Sequence, residues 1–125
     1  MIRSLDHLVL TVADLDATLD FYTRILGTAH TRFGERHAVS FGSQKINLHV
    51  VGKEFSPRAA HATAGSGDLC FLIEGKLEDA EAHLNAQDIA IEEGPVERTG
   101  ATGPLRSLYI RDPDNNLIEL SVLIN

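Results

Sequence analysis

The most constraining feature of this sequence is an internal repeat in the order of its predicted elements. Residues 4–51 read as a strand, a helix and two or three further strands, and residues 67–125 repeat that order. The halves also match locally, because Ile46-Asn47-Leu48-His49-Val50 corresponds to Ile118-Glu119-Leu120-Ser121-Val122. We therefore predict one α+β domain over the whole chain. It consists of two tandem β-α-β-β-β modules that form a curved mixed sheet around a cleft, with residues 52–66 as their connection.

The first module begins with a β-rich run over Leu5–Val12, and a helical pattern follows it. Asp14 stands where an N-cap belongs, and Gly27 suits the left-handed turn that ends a helix. Between them, side chains at spacings of 4, 3 and 4 predict one buried helix face, namely Leu15, Leu19, Tyr22 and Leu26. The strands predicted next are Ala29–Phe33, which is weakly marked, His37–Phe41 and Ile46–Val51.

The second module follows the same order and is divided by turn residues. The run Asp112-Pro113-Asp114-Asn115-Asn116 is a strong turn signal between two strands. Apolar spacing predicts a helix over about Leu77–Ala86. The other predicted elements are strands at Asp68–Ile73, Ile89–Glu92, Ser107–Arg111 and Leu117–Leu123, and a loop rich in Gly and Pro over Gly94–Pro104.

Polar side chains recur on one face of the predicted strands. Side chains alternate between the two faces of a strand, so parity separates residues that face the helix from those that face away. A sheet with one face in water shows such alternation too, so the chemical type of these residues is what discriminates. The side chains facing away include imidazoles and carboxylates rather than a ladder of Lys, Arg or Thr: His7, Asn47, His49, Asp68 and Glu119.

This set of side chains has two interpretations. One is an ordinary solvated sheet face. The other is a metal-binding cleft, because two histidines and one carboxylate form the facial arrangement of open iron or manganese sites. Cys70 shares the parity of this face, and packing is the default role of such a cysteine. The remaining histidines are predicted to lie on the surface: His30, His37, His61 and His83.

Composition excludes several functional classes. Eleven Lys and Arg against eighteen Asp and Glu leave a net charge of −7, which a nucleic-acid backbone would repel. The single cysteine cannot form an internal disulfide, and no apolar run approaches the roughly 20 residues of a membrane-spanning helix. We therefore expect a cytoplasmic protein whose partner is a small molecule rather than nucleic acid or a membrane.

Two sets of motifs give the chain a family resemblance. The first set is Asp6–Val12, Phe21–Gly27 and Arg111–Leu120, and the second is Lys45–His49, Gly65–Cys70 and Glu93–Ala101. In the first set, the sequence resembles the vicinal-oxygen-chelate superfamily of glyoxalases, bleomycin- and fosfomycin-resistance proteins and extradiol dioxygenases. In the second set, it is similar to one branch of that superfamily, that of glyoxalase domain-containing protein 5 and bacterial virulence-associated proteins.

The resemblance implies where a metal would bind. The ligand positions of the family fall on His7, Asn47, Asp68 and Glu119 of this sequence. Asn47 stands where typical glyoxalases have glutamate, and Asp68 stands where histidine is usual. Because His49 shares the face of Asn47, we predict His7, His49 and Glu119 as the metal ligands. Glu119 is then also catalytic, and Asp68 is the fourth ligand or the proton-transfer base.

The expected function follows from that site. We expect one divalent ion (Fe, Mn, Ni or Zn) and a small substrate with adjacent oxygens, converted by lyase or isomerase chemistry through an enediolate-like intermediate. A small Fe(II) ring-cleaving dioxygenase and a metal-free small-molecule binder are the alternatives. Because relatives pair modules side by side, we also expect a symmetric homodimer.

Overall fold

The structure is a computed structural model that describes residues 1–125, and the chain divides into two compact units, Met1–Ser66 and Gly67–Asn125. The first unit contains β1 (His7–Val12), α1 (Leu15–Asp20), a π-helical turn (Phe21–Ile25), β2 (Ala29–Phe33), β3 (Arg36–Phe41) and β4 (Gln44–Val50). The second contains β5 (Asp68–Leu72), α2 (Leu77–Ala86), β6 (Glu93–Thr99), β7 (Pro104–Arg111) and β8 (Leu117–Leu123).

The two units have the same sheet topology. The first sheet has the strand order β1-β4-β3-β2, and the second has the order β5-β8-β7-β6. In each, the first and last strands pair in parallel and the other neighbours are antiparallel. This equivalence confirms the predicted α+β fold of two repeated modules. No helix is long and apolar enough to cross a membrane.

In the first unit, the helical segment packs on the sheet by a different face from the predicted one. Asp14 caps α1, since its side chain accepts a hydrogen bond from the Ala17 amide at 3.0 Å. Two overlapping apolar stripes share Tyr22, and spacing alone does not decide which one is buried. The buried stripe is Thr18, Phe21, Tyr22 and Ile25, whereas Leu15, Leu19 and Leu26 are only half-buried.

A π-helical turn accompanies this change of face. The Leu26 amide donates to the Phe21 carbonyl five residues back, at 3.2 Å. The additional residue in the turn rotates the side chains that follow, relative to a regular α-helix. This rotation affects Leu26, whereas Leu15 and Leu19 precede the turn. The predicted burial of Leu15, Leu19 and Leu26 is wrong, while Tyr22 is buried as predicted.

In the second unit, α2 has the predicted bounds and packs against β7. Leu77 and Leu84 are each 1% exposed and contribute to the core with the apolar residues of β7 and β8 that face the helix: Leu108, Ile110, Ile118 and Leu120. The run Asp112–Asn116 forms the predicted turn, in which the Asp112 carboxylate accepts from the amides of Asp114 and Asn116.

One predicted strand lies elsewhere. Ile89–Glu92 is not a strand, and β6 occupies most of the region predicted as the loop Gly94–Pro104. Proline is tolerated in β6 because this strand lies at the sheet edge and its pairing is irregular between Glu93 and Val96. Gly94 is required there, since a Cβ would lie 2.5 Å from the Ser107 carbonyl oxygen.

Candidate functional site

The sheet registers place the predicted site residues on the faces that parity assigned to them. In the first unit, β1 and β4 pair so that His7 lies beside Lys45, Val9 beside Asn47 and Thr11 beside His49. In the second unit, Glu119 lies between Cys70 of β5 and Tyr109 of β7. Directly paired residues of neighbouring strands share a face. Each sheet therefore carries its own row of polar side chains on the face away from the helix.

Glu119 is the centre of a hydroxyl network in the second unit. Ser107 Oγ donates to Glu119 Oε2 at 2.6 Å, and Ser121 Oγ donates to the same oxygen at 3.2 Å. The two serine hydroxyls are 2.7 Å apart, and both serines are fully buried. No Lys or Arg forms an ion pair with Glu119. The network therefore fixes the carboxylate in place without neutralising its charge.

Two further ionisable groups flank this carboxylate. Burial raises the pKa of the Cys70 thiol, and the charge of Glu119 adds to that shift, while a hydrogen bond to Ser121 at 3.3 Å opposes it. Burial also raises the pKa of Tyr109, against a hydrogen bond that Arg98 Nε donates to the phenol oxygen at 3.0 Å. Both groups therefore remain protonated at neutral pH. The contact of its sulfur with Ser121 is partly buried, but Cys70 as a residue is exposed and not packed in the core, so the default expectation of packing is wrong.

Sequence reasoning did not identify Ser107 and Tyr109. Both alternate with the core residues Leu108 and Ile110 along β7, so the parity that singled out Glu119 also applies to them. Hydroxyl residues are common on solvated sheet faces, however, and neither residue is a typical metal ligand. Only the register of β7 against β8 shows that these side chains lie beside Glu119.

His7 is oriented by its neighbour in sequence. Its Nδ1 lies 2.8 Å from Asp6 Oδ2, and the side chain is 42% exposed. A metal-ligating histidine almost always bonds a carboxylate, carbonyl or water through its second ring nitrogen, which fixes the tautomer. With Nδ1 engaged by Asp6, Nε2 is the nitrogen of His7 suited to bind a ligand.

Asn47 has an acceptor that nothing in the protein satisfies. Its Oδ1 is buried and has no hydrogen-bond partner. A buried polar atom without a partner costs free energy and needs an explanation, such as an ion. His7 of β1 pairs with Lys45 of β4, and Asn47 is two residues further along β4. Asn47 and His7 therefore share one sheet face. Amide oxygen is an acceptable ligand for hard divalent ions.

His49 lies in a cationic environment. Its ring packs edge-on against Phe55 at a centroid distance of 5.5 Å. Burial lowers its pKa, the guanidinium groups of Arg36 and Arg58 lower it further, and Glu54 opposes them. In the register, the neighbour of His49 is Thr11, four residues along β1 from His7. Four residues of strand span about 13 Å, so a metal shared by both histidines would require the two side chains to lean together.

Asp68 is an exposed residue at the start of β5 and lies beside Leu117. The Arg111 guanidinium is close enough for Asp68 to contribute to the raised pKa of that arginine, after the larger effect of Glu92. Across the chain, no three His, Cys, Asp or Glu side chains are arranged to hold a metal ion. A metal bound to the predicted residues would therefore need an amide oxygen or water among its ligands.

Comparison with known proteins identifies the family. The chain is 60% identical over 121 residues to glyoxalase domain-containing protein RDO1 of Mycosarcoma maydis, covering 96% of this chain and 68% of that protein. The solved structure of virulence protein STM3117 from Salmonella typhimurium is 50% identical, with a TM-score of 0.97 and 99% coverage of each chain. Integron cassette protein VCH_CASS1 from V. cholerae is 53% identical, with a TM-score of 0.95 over 98% of this chain and 96% of that one. Residues 4–120 also match the family model of the Glyoxalase/Bleomycin resistance protein/Dioxygenase superfamily, and the chain therefore belongs to that superfamily.

Proposed function

We propose that the protein is a divalent-metal-dependent lyase or isomerase of the glyoxalase type, acting on a small substrate with two adjacent oxygens. The observation that carries the proposal is the carboxylate of Glu119, which is half-buried, held by two serine hydroxyls and not paired with a cation of the protein. Carboxylates removed from water are paired with cations or coordinate metals. The arrangement of Glu119 is therefore typical of a carboxylate that binds a cation.

The proposed ligands are the three predicted from the sequence, His7, His49 and Glu119, with Asn47 at a ligand position of the family as a further oxygen donor. His7 has its second nitrogen engaged by Asp6, and the partnerless oxygen of Asn47 lies on the same sheet face. Imidazole, amide oxygen and carboxylate are donor types that divalent ions take, and the proposal is that these side chains and Glu119 bind one such ion. His49 as the third ligand stays a prediction. It requires the largest side-chain displacement, because His49 lies four residues along the strands from the position of His7. A bound ion would supply Lewis-acid stabilisation of negative charge that develops on the substrate oxygens.

The remaining roles belong to side chains near Glu119. Ser107 and Ser121 restrict the rotation of the carboxylate, which keeps its second oxygen in a defined position. Tyr109 stays protonated and can donate a hydrogen bond to a substrate oxygen. Asp68 is the proposed base, because it is an exposed carboxylate on the same sheet face as Glu119.

A metal-free small-molecule binder is the second candidate function. The absence of three clustered His, Cys, Asp or Glu side chains favours it, and the family name includes bleomycin resistance proteins. In that case, the row of polar side chains around Glu119 would recognise a ligand by hydrogen bonds alone.

Elemental analysis of protein purified without a chelator separates these functions. A stoichiometric Ni or Zn supports the isomerase or lyase, and a stoichiometric Fe with oxygen consumption supports a dioxygenase. No bound metal, together with no binding of added Mn, Ni, Zn or Fe, contradicts the proposal and favours the binder. In the loaded protein, Asp68→Ala should retain the metal and lose turnover if Asp68 is the base. Loss of the metal would make Asp68 a ligand instead.

We also propose that the chain forms a symmetric homodimer, as the commonest closed oligomer. Light scattering should give twice the mass of 13.6 kDa at micromolar concentration. A monomer mass would contradict the proposed assembly.

A further inference from the structure

Four of the eight arginines of the chain form ion pairs, and the other four do not. Those that form ion pairs with carboxylates are Arg24, Arg98, Arg106 and Arg111. By contrast, Arg36 and Arg58 of the first unit, and Lys45 beside them, have no carboxylate partner. Arg3, Arg32, Lys53 and Lys76 also lack an ion pair, so the feature that distinguishes this group is the placement of Arg36 and Lys45 over aromatic rings. We refer to Arg36, Lys45 and Arg58, with the rings of Phe33 and Phe55, as the Arg36 patch.

Two aromatic rings support the cations of this patch. The Arg36 guanidinium lies over the Phe55 ring, with Cζ 4.4 Å from the ring centroid. Lys45 Nζ lies 4.5 Å from the centroid of Phe33, which is 43% exposed. Arg36 of β3 pairs with Phe33 of β2. The next residue of β3, His37, pairs with Leu48 of β4, so Arg36 lies beside His49. The patch therefore occupies the face of the first sheet that also carries His7, Asn47 and His49.

The orientation of Arg36 leaves its donors available. A guanidinium stacked on a ring uses its flat face, whereas its N–H donors lie in the plane and point outward. Arg36 makes no hydrogen bond within the protein, and its side chain is exposed. Arg58 is tied to the same region by a hydrogen bond from Nη1 to Ser56 Oγ at 3.1 Å, and its charge acts on His49 together with that of Arg36.

One carboxylate opposes these cations. Glu54 acts on His49 with the opposite sign, and its Oε1 accepts a hydrogen bond from the Gly52 amide. Three cations against this single carboxylate leave the patch positively charged. Planar guanidinium groups match carboxylate and phosphonate oxygens, and exposed rings beside them suit an apolar ligand body.

We propose that the Arg36 patch binds the carboxylate, phosphate or phosphonate group of a small organic anion, with Phe33 contacting the apolar part of the ligand. This inference concerns the charge of the ligand and does not depend on a metal. That the anion is the substrate of the enzyme rests on the proposed function, and it would make that substrate an anionic compound with two adjacent oxygens.

Calorimetric titration with phenylphosphonate tests the proposal, with benzyl alcohol as the neutral compound of similar size. The protein is first treated with chelator and dialysed, so that binding cannot arise from a metal. We expect saturable binding of phenylphosphonate in the millimolar range, weakening with added salt, and no binding of benzyl alcohol. Absence of saturable phenylphosphonate binding up to about 10 mM would overturn the proposal.

Matched variants separate a built site from general charge attraction. Arg36→Met keeps an unbranched apolar side chain similar to the aliphatic part of arginine, removes the guanidinium, and should weaken binding at least about tenfold. Arg106→Met removes an arginine of the second unit that is paired with Glu78, and it should leave binding unchanged. Equal losses in these two variants would overturn the proposal. If Arg36→Met does not fold, as judged by circular dichroism, Arg58→Met and Arg36→Lys decide, and unchanged binding in both would overturn it.

The metal content of the same wild-type preparation before chelation keeps the two proposals distinguishable. Metal without phenylphosphonate binding contradicts the anion site alone. Phenylphosphonate binding without any metal supports the anion site and contradicts the metal-dependent function.

Discussion

Removing the Ser107 hydroxyl is the sharpest perturbation of the polar network in the second unit. In Ser107→Ala, the carboxylate of Glu119 loses its shortest hydrogen bond, 2.6 Å, and Ser121 loses a partner at 2.7 Å. A hydrogen bond to a charged group contributes about 1.5–3 kcal/mol. Ser121 loses one neutral hydrogen bond in addition but keeps Glu119 and Cys70 as partners. We expect the free energy of unfolding to fall by about 2–3 kcal/mol.

Urea denaturation followed by far-UV circular dichroism measures this loss, and a double-mutant cycle assigns it. Ser107→Ala combined with Glu119→Ala should show a coupling energy of about 1–3 kcal/mol, because each change removes the same interaction. Ser121→Ala is the matched control, since its bond to Glu119 is longer, 3.2 Å, and it should couple less. Single changes that add within about 0.5 kcal/mol would refute the assignment of Ser107 as the anchor of Glu119.

Other predictions follow from burial. Leu84→Ala should lower the free energy of unfolding by about 2–5 kcal/mol, and Leu19→Ala should lower it by clearly less, because Leu84 is 1% exposed and Leu19 is only half-buried. Equal losses of the two variants in urea denaturation would contradict the observed helix face. Thr18→Val should raise the melting temperature, because Thr18 Oγ1 is buried without a hydrogen-bond partner; a lower melting temperature would contradict this. Burial lowers the pKa values of His37 and His49, so the unfolded chain takes up protons first and stability should fall as pH drops below about 6.5. A variant with both histidines changed to Gln should lose less stability between pH 7.5 and 5.5 than the parent, and an equal loss would contradict the assignment.

The repeat, both sheets and the helix α2 were predictable because they depend on periodicity. Strand alternation has a period of two, so it assigned His7, Asn47 and Glu119 to the faces on which the registers place them. The helical face of the first unit was less predictable. There, two stripes share Tyr22, and the π-helical turn changes the register of the residues that follow it.

The strand β6 could not be predicted from local signals. Its first residues include Gly94 and Pro95, which are typical of loops. Pairing with β7 at the sheet edge overrides that preference, and the close approach of Gly94 to the Ser107 carbonyl explains why a glycine is needed. These are long-range contacts, which a local sequence pattern does not contain.

The strand faces of the candidate ionisable residues were predictable, whereas their neighbours were not. Glu119 stood out as a carboxylate on a strand, whereas Ser107, which holds it, looks like any polar strand residue. The cationic surroundings of His49 also depend on Arg36 from β3 and Phe55 from the following segment. Only the folded chain brings these residues together.

Equilibrium binding of a divalent ion to the parent protein and to His7→Ala tests the central claim most directly. We predict one ion per chain for the parent, with binding lost in His7→Ala and Glu119→Ala and retained in His83→Ala, whose side chain lies exposed on α2. Far-UV circular dichroism should stay close to that of the parent, because the helix-side residues of the strands are unchanged. Unchanged binding in His49→Ala would mean that Asn47 and water, rather than His49, complete the metal site. Full binding in His7→Ala would contradict the metal site altogether.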